Sequence, residues 1–163
     1  MKSVTFGKLN GSALKIGIAV SRWNHEITDA LLRDCLRALE DARVKKKNAI
    51  VMDVPGSFEL PYAVLRLIQD DKVDAVVCLG CLIKGETMHF EYIAQAVSTG
   101  IMQVQLDTNV PVVFGVLTCL NEKQAYERSV GEGTHAYKWG LSAVEMGLLR
   151  KESRQIKPRS HLR

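Results

Sequence analysis

Short apolar runs alternate along the chain with segments of helical periodicity, and this alternation restricts the possible folds more than any other feature. The runs are rich in Val and Ile and almost continuously apolar, as expected for strands that are buried on both faces. They read LKIGIAVS (14–21), NAIVMDV (48–54), VDAVVCLG (73–80) and VPVVFGVLT (110–118). Strands joined by crossover helices must run parallel to one another.

The segments between these runs predict the helices. Apolar residues recur at helical spacing from His25 to about Arg43, and further helices are predicted over 59–69, over 88–106 and from 122 onward. A loop is predicted over 130–140, followed by a last helix from Leu141 to about Lys151. The element order predicts an α/β fold: a three-layer α/β/α sandwich around a four-stranded parallel sheet, of the flavodoxin-like kind.

Length and charge predict one domain with a basic tail. A chain of 163 residues, 47% hydrophobic and 25% charged, is typical of a single globular domain, expected over 1–150. No apolar run approaches the ~20 residues of a membrane span, and residues 1–15 lack the apolar core of a signal peptide, so a cytoplasmic protein without a membrane partner is expected. The net charge of +4 is concentrated at 150–163, where six Lys or Arg face one Glu. Segment 151–163 has no aromatic residues for stacking on bases, which favours a mobile, solvated tail over a nucleic-acid-binding arm.

The cysteines include one pair at a spacing used by redox and metal sites. Cys78 and Cys81 form a C-x-x-C pattern. An offset of three along a strand, however, points the two side chains to opposite faces of the sheet. No second C-x-x-C follows, so reduced, buried thiols are favoured over a metal or redox centre.

The topology also predicts where a ligand would bind. Open parallel sheets bind ligands beyond the carboxyl ends of their strands, and those ends hold SRWN (21–24), PGSFE (55–59), GCLIKGET (80–87) and TCLNE (118–122). The third stretch nearly matches the phosphate loop G-x-x-x-x-G-K-[ST], but Glu86 replaces the lysine, which argues against nucleotide hydrolysis. A helix that begins after Thr87 as its cap would still offer backbone N–H groups to an anion, unless the stretch is only a connecting turn.

Several side chains at these strand ends have two interpretations each. Trp23 is either a core plug or a stacking platform for a flat heterocycle, and Ser57 either binds a polyol or caps a helix. His89 lies in the first turn of a helix, where the dipole favours a neutral imidazole that can exchange protons. Arg128 could close a phosphate site or complement a helix dipole. Phe114 lies in an apolar strand, which by itself favours core packing.

Together the loops resemble the 6,7-dimethyl-8-ribityllumazine synthase family, from about Leu14 to Leu149. The resemblance rests on RWN, VPGSFELP, LIKGETMHFEYIA, VPVVFGVLT followed by NEKQA and ER, and SAVEM. It implies condensation of 5-amino-6-ribitylamino-2,4-pyrimidinedione with 3,4-dihydroxy-2-butanone 4-phosphate. The products would be 6,7-dimethyl-8-ribityllumazine, phosphate and water, formed in riboflavin biosynthesis without a metal or an organic cofactor.

The resemblance implies a role for each matching residue. The heterocycle would stack on Trp23 and be held by main-chain groups at Leu82 and Ile83, and His89 would transfer protons. The remaining residues bind the rest of the substrates: Ser57, Phe58 and Glu59 the ribityl chain, and Gly85, Glu86 and Thr87 the phosphate.

Other residues would come from a neighbouring subunit. By the same resemblance, Arg128 completes the phosphate site and Phe114 forms the second wall of the ring site. His135 matches a position that is lysine in many members, although SVGEGTHAYKW departs from the family pattern there. The resemblance further implies a homopentamer, an N-terminal segment that adds a strand to a neighbour's sheet, and riboflavin synthase as a partner.

Two other functions stay open on the sequence. Cys81 or Cys119 with His89 could form the nucleophile and base of a thiol hydrolase. A flavin or lumazine carrier could use the same pocket without catalysis, but it would need neither His89 nor Arg128.

Overall fold

The computed structural model describes residues 4–130 and 134–155. Its strands and helices alternate as predicted, and two short 3-10 helices, Lys46–Asn48 and Ser57–Glu59, precede β2 and α2. The elements are β1 Ile16–Ser21, α1 His25–Asp41, β2 Ala49–Val54, α2 Leu60–Gln69, β3 Ala75–Ile83, α3 His89–Thr108, β4 Val112–Cys119, α4 Glu122–Ser129 and α5 His135–Gln155. Among these helices, none is long and apolar enough to cross a membrane.

The four strands form one parallel sheet in the order β2-β1-β3-β4. In the central strands, Ile16 of β1 lies opposite Ala75 of β3, and Cys78 of β3 lies opposite Phe114 of β4. The predicted α/β fold with a four-stranded parallel sheet is confirmed. Because β1 and β3 are the inner strands, the turns that follow them meet at the middle of the sheet edge, where open parallel sheets bind ligands.

Helices cover both faces of the sheet and form two cores. Side chains alternate along a strand, so Ile16, Ile18 and Val20 pack into the core shared with α1, α4 and α5. Ala19 points the other way, into the core shared with α2 and α3. Burial on both faces explains why the strands read as continuous apolar runs, and it gives the predicted three layers.

The predicted loop over 130–140 is wrong in its second half, because α5 begins at His135 rather than at Leu141. Contacts with distant residues hold this early turn. The Thr134 hydroxyl is buried and bonds to the Asp34 carboxylate of α1, and the Trp139 ring packs closely over Gly115 of β4. Residues 131–133 lie outside the described part of the chain.

Helix α5 also extends beyond its predicted end near Lys151, through Gln155. Lys151 Nζ donates to the Ala13 carbonyl at 2.5 Å and lies 3.2 Å from Asp74 Oδ2, and these contacts anchor the helix end to the domain. Residues 156–163, which make up most of the predicted mobile tail, lie outside the described residues. The mobility of the tail therefore stays a prediction.

Candidate functional site

The turns after β1 and β2, the end of β3 and the start of α3 enclose a pocket of about 530 Å3 at the carboxyl edge of the sheet. Seven of the residues singled out in the sequence line it together. They are Trp23, Ser57, Phe58, Glu59, Leu82, Ile83 and His89, and the other lining residues are Asn24, Gly56, Cys81 and Ile93. Three stretches that are distant in sequence thus form one concave surface with an aromatic ring, a carboxylate and an imidazole.

The turn after β1 holds Trp23 at the mouth of the pocket. Its backbone N–H donates to the Pro55 carbonyl at 3.1 Å, which ties the β1 turn to the β2 turn. Asn24 adopts a left-handed conformation (φ 60°) and donates through its side-chain amide to the Cys81 carbonyl at 3.0 Å. The indole is 70% exposed, so Trp23 is not a core plug, and its flat face is available for stacking.

The turn after β2 is closed by one of its own carboxylates. Glu59 Oε2 accepts a hydrogen bond from the Gly56 N–H at 2.9 Å, which fixes the short helix that presents Ser57 and Phe58. A Cβ on Gly56 would lie 3.2 Å from Trp23 Cδ1 and 3.2 Å from Glu59 Oε2. Glycine at position 56 therefore lets the indole and the carboxylate pack side by side.

The predicted end of β3, at Gly80, is wrong. The strand continues through Ile83, so Gly80 is a buried strand residue and not the start of a glycine-bounded loop. The connection to α3 contains only residues 84–88. Thr87 is not the helix cap as predicted, because the cap position is Met88; the Thr87 hydroxyl instead accepts from the His89 N–H at 3.4 Å.

The short connection is held at both ends. The Lys84 N–H donates to the Cys119 carbonyl of β4 at 2.9 Å, and Lys84 Nζ pairs with Glu91 Oε1 of α3 at 2.5 Å. The hydrogen bond from Lys84 is the main reason why the pKa of Glu91 is lowered. Between these two anchors the residues that were predicted to bind phosphate, Gly85–Thr87, are exposed at the free N-terminus of α3.

Six predicted site residues do not line this pocket. Gly85, Glu86 and Thr87 lie in the connection just described, and the other three are Phe114, Arg128 and His135. Phe114 pairs with Cys78, four residues before the Leu82–Thr118 pair, and four residues of strand span about 13 Å. The Phe114 side chain is 38% exposed, so the core packing favoured by its strand context is only partial.

Arg128 and His135 lie on the opposite layer of the sandwich from α3. Arg128 Nη1 donates to the Gln124 carbonyl within α4 at 3.0 Å, and its positive charge partly offsets the burial that raises the pKa of Cys119. His135 is exposed at the start of α5, with its ring centroid 5.9 Å from that of Trp139. The sequence had placed His135 in a loop.

The cysteines do not form a reactive site in the described residues. Cys78 packs in the core with α2 and α3, whereas Cys81 packs in the core with α1, α4 and α5. The two side chains thus point to opposite faces, as predicted. Burial raises the pKa of Cys35 and of Cys81 to about 12 and also raises that of Cys119. Neutral, buried thiols are poor nucleophiles, which argues against a thiol hydrolase.

Sequence reasoning missed two supports of the pocket. Asn24 appeared in the sequence only as the last residue of the SRWN stretch, and nothing there signalled its hydrogen bond to the Cys81 carbonyl. Ile93 could have been found, because it lies four residues after His89 and shares its face of α3. A second cavity of about 630 Å3 lies beside Trp23 against α4, but it contains neither His89 nor the 56–59 turn.

Comparison with known proteins shows the family. A family model described as 6,7-dimethyl-8-ribityllumazine synthase matches residues 13–151. Relatives of that name come from Schizosaccharomyces pombe, 46% identical over 86% of this chain and 90% of the relative, and from Porphyromonas gingivalis, 44% identical over 86% and 88%. A third, from Pyricularia oryzae, is 43% identical over 88% and 91%. The chain belongs to the 6,7-dimethyl-8-ribityllumazine synthase family.

Proposed function

We propose that this chain condenses 5-amino-6-ribitylamino-2,4-pyrimidinedione with 3,4-dihydroxy-2-butanone 4-phosphate at the pocket of about 530 Å3. The pyrimidine amine and the ketone form an imine with loss of water. Phosphate is then eliminated, and ring closure with loss of a second water gives 6,7-dimethyl-8-ribityllumazine. The observation that carries this proposal is the convergence of Trp23, the 57–59 turn, the end of β3 and His89 on one surface.

The pocket suits a substrate with a flat ring and a polyol chain. Trp23 offers an exposed indole face on which the pyrimidine stacks. The Ser57 hydroxyl and the free carboxylate oxygen of Glu59 bind the ribityl hydroxyls, while Glu59 Oε2 holds the turn. Main-chain groups of Leu82 and Ile83 bind the polar edge of the heterocycle, which is the role that the family resemblance implies for these two residues.

Phosphate binds at the start of α3, in this proposal. The free backbone N–H groups of the 85–87 stretch and the helix dipole both favour an anion there. Arg128 of a neighbouring subunit supplies the positive charge, and Glu86 need not face the ligand. Lys84 is already paired with Glu91, so it serves to hold the connection and not to bind the phosphate.

His89 lines the pocket, and in this proposal it transfers protons beside the phosphate site. Holding two reactants in register can lower a barrier by about 7–11 kcal/mol, whereas a positioned acid–base group contributes roughly 10² to 10⁴-fold. We therefore expect His89→Ala to reduce kcat by about 10² to 10⁴-fold while the enzyme still exceeds the uncatalysed rate. Complete loss of activity with substrate binding intact would contradict this division.

The family forms oligomers, and a stripe of exposed residues on α3 is suited to helix–helix contact between copies. Tyr92, Met102 and Leu106 of α3 and Met88 at its cap are exposed large side chains, and at 3.6 residues per turn their positions lie on one side of the helix. Large exposed apolar patches mark interaction surfaces. We take the assembly to be a pentamer with sites shared between adjacent subunits, in which residues 4–10 add a strand to a neighbour's sheet.

The remaining expectations rest on the family and the sequence alone. A cytoplasmic location fits an enzyme of riboflavin biosynthesis, and riboflavin synthase would use its product. The carrier alternative is not favoured by the family relationship, because all three relatives are named as the synthase.

The direct test mixes the purified protein with both substrates and follows the fluorescent lumazine against the uncatalysed background. Acceleration with one phosphate released per lumazine is the expected result. Absence of acceleration by an intact oligomer, with tight binding of lumazine, would instead support the carrier.

A further inference from the structure

Two buried hydroxyls, one lining the pocket and one outside its lining, have no hydrogen-bond partner in the described residues. The Ser21 side chain is fully buried (0% exposed) at the end of β1, and Ser57 is 4% exposed at the pocket wall. Neither Oγ makes a hydrogen bond within the described protein. Buried polar groups are nearly always paired, because an unpaired one loses its hydrogen bonds to water without replacement. A pair of such groups at a binding site therefore points to a ligand.

Both hydroxyls lie against the same point of the backbone. A Cβ on Gly80 would lie 2.7 Å from Ser57 Oγ and 3.4 Å from Ser21 Oγ. Ser21 faces Gly80 because Val20 pairs with Leu79, one residue earlier on both strands. The absence of a side chain at Gly80 thus leaves both hydroxyls facing the same space, with Ser57 in the pocket lining and Ser21 outside it.

We propose that Ser21 is a positioning residue for the substrate's ribityl chain and that it acts through Ser57. In the complex the Ser21 hydroxyl donates to Ser57 Oγ, and the Ser57 hydroxyl donates onward to a hydroxyl of the ribityl chain. Each serine then has a partner, and a chain of hydrogen bonds strengthens its members. This inference rests on the proposed function, because it takes the ribityl-bearing pyrimidine as the ligand of the pocket.

The chemistry of the two serines limits what they can recognise. A hydroxyl both donates and accepts, so a pair in series suits another hydroxyl better than it suits an anion. No Lys or Arg is among the described residues that line the pocket. The pair therefore contributes to the polyol end of the site and leaves the reacting atoms to other residues.

The test compares Ser21→Ala, Ser57→Ala and the double variant for binding and turnover. Ser21→Ala should raise the dissociation constant of the ribitylaminopyrimidine about threefold to tenfold, as expected for one neutral hydrogen bond. The kcat should stay unchanged, because the ribityl chain is remote from the bonds that form. When Ser21→Ala is added to Ser57→Ala, the dissociation constant should change by less than about a further twofold, since the hydrogen bond that connects Ser21 to the substrate is already lost.

A substrate analogue separates positioning from structure. If the ribityl chain is replaced by an n-pentyl chain, Ser21→Ala and the parent should bind it equally, because no hydroxyl remains to be recognised. Thr28→Val is the matched control: Thr28 Oγ1 is also buried and unpaired in the described residues, but it does not line the pocket. That variant should bind both ligands like the parent.

Each outcome decides the matter. Unchanged binding of the ribityl substrate by Ser21→Ala, an equal loss with the pentyl analogue, or a full additional loss in the Ser57→Ala background would overturn the proposal. If Ser21→Ala melts early, Ser21→Cys repeats the test at similar volume, and failure of both to fold would make Ser21 a structural residue only. Inactivity of the parent would refute the proposed function instead, so the two failures remain distinguishable.

Discussion

Mixing two defective variants should restore activity if each site takes residues from two copies of the chain. Trp23→Ala damages the pocket, and Phe114→Ala damages the wall that we assign to the neighbour. Aromatic stacking on a heterocycle contributes about 1–3 kcal/mol per ring, so each variant alone should lose roughly 5- to 150-fold in kcat/KM.

The structure explains why the two defects should be separable. Phe114 lies four strand residues, or about 13 Å, before the part of β4 that is level with the pocket. Its ring therefore cannot face Trp23 within one chain, whereas its partial exposure lets it meet another copy. In oligomers mixed randomly at equal amounts, about one quarter of the heterologous contacts join an intact pocket to an intact wall.

The assay refolds or co-expresses the two variants with different tags and isolates the oligomers that carry both. Their activity should approach a quarter of the parent's, well above either variant alone. A mixed oligomer whose activity is only the mean of the two pure variants would refute the shared site. The tags exclude the trivial explanation that the chains failed to exchange.

Three further predictions follow from single features. Gly115→Ala should lower the free energy of unfolding by about 2–3 kcal/mol or more, because its Cβ would lie 2.4 Å from the Cys78 carbonyl oxygen. Chemical denaturation would show this loss, and Gly7→Ala, whose Cβ would meet no atom within 4 Å, should be tolerated. Iodoacetamide near pH 8 should neither label Cys81 in the native protein nor abolish lumazine formation, since burial raises the pKa of this thiol to about 12. Loss of activity in proportion to labelling would instead support the thiol hydrolase. The pKa of Glu91 is lowered in the folded state, so its ionised carboxylate stabilises the fold at pH values above the ordinary carboxyl pKa, and this stabilisation is lost as pH falls through the lowered pKa. The melting temperatures of the parent and of Glu91→Gln should therefore converge in acid. A difference in melting temperature that persists at low pH would show that the Glu91 carboxylate is not its cause.

The sheet could be predicted from the sequence because its strands are buried on both faces. Such strands carry almost no polar residues, and the intervening helices show their own periodicity, so element type and order follow from local patterns. The same order predicted which loops meet at one edge. That is why Trp23, the 57–59 turn and His89 could be expected near one another before any contact was known.

The errors occurred where distant contacts decide local structure. Gly80 was interpreted as the end of a strand, but its place is inside β3, where the missing side chain makes room for Ser57. The start of α5 was missed because a glycine-bearing stretch suggests a loop, while Thr134 is anchored by Asp34, 100 residues earlier in the chain. Patterns within a short window contain no information on either contact.

The exposure of the site's aromatic residues leads to a further conclusion about the assembly. Trp23 is 70% exposed and Phe58 57% exposed, on either side of a pocket that opens to solvent. An imine is readily hydrolysed, and electrostatic interactions with phosphate weaken in water, so exclusion of water from the site would favour catalysis. We propose that a second copy closes the pocket by supplying Phe114 together with the cation of Arg128. Oligomerisation in this enzyme would then complete the chemistry of each site, and dilution into monomers should abolish turnover before it unfolds the chain.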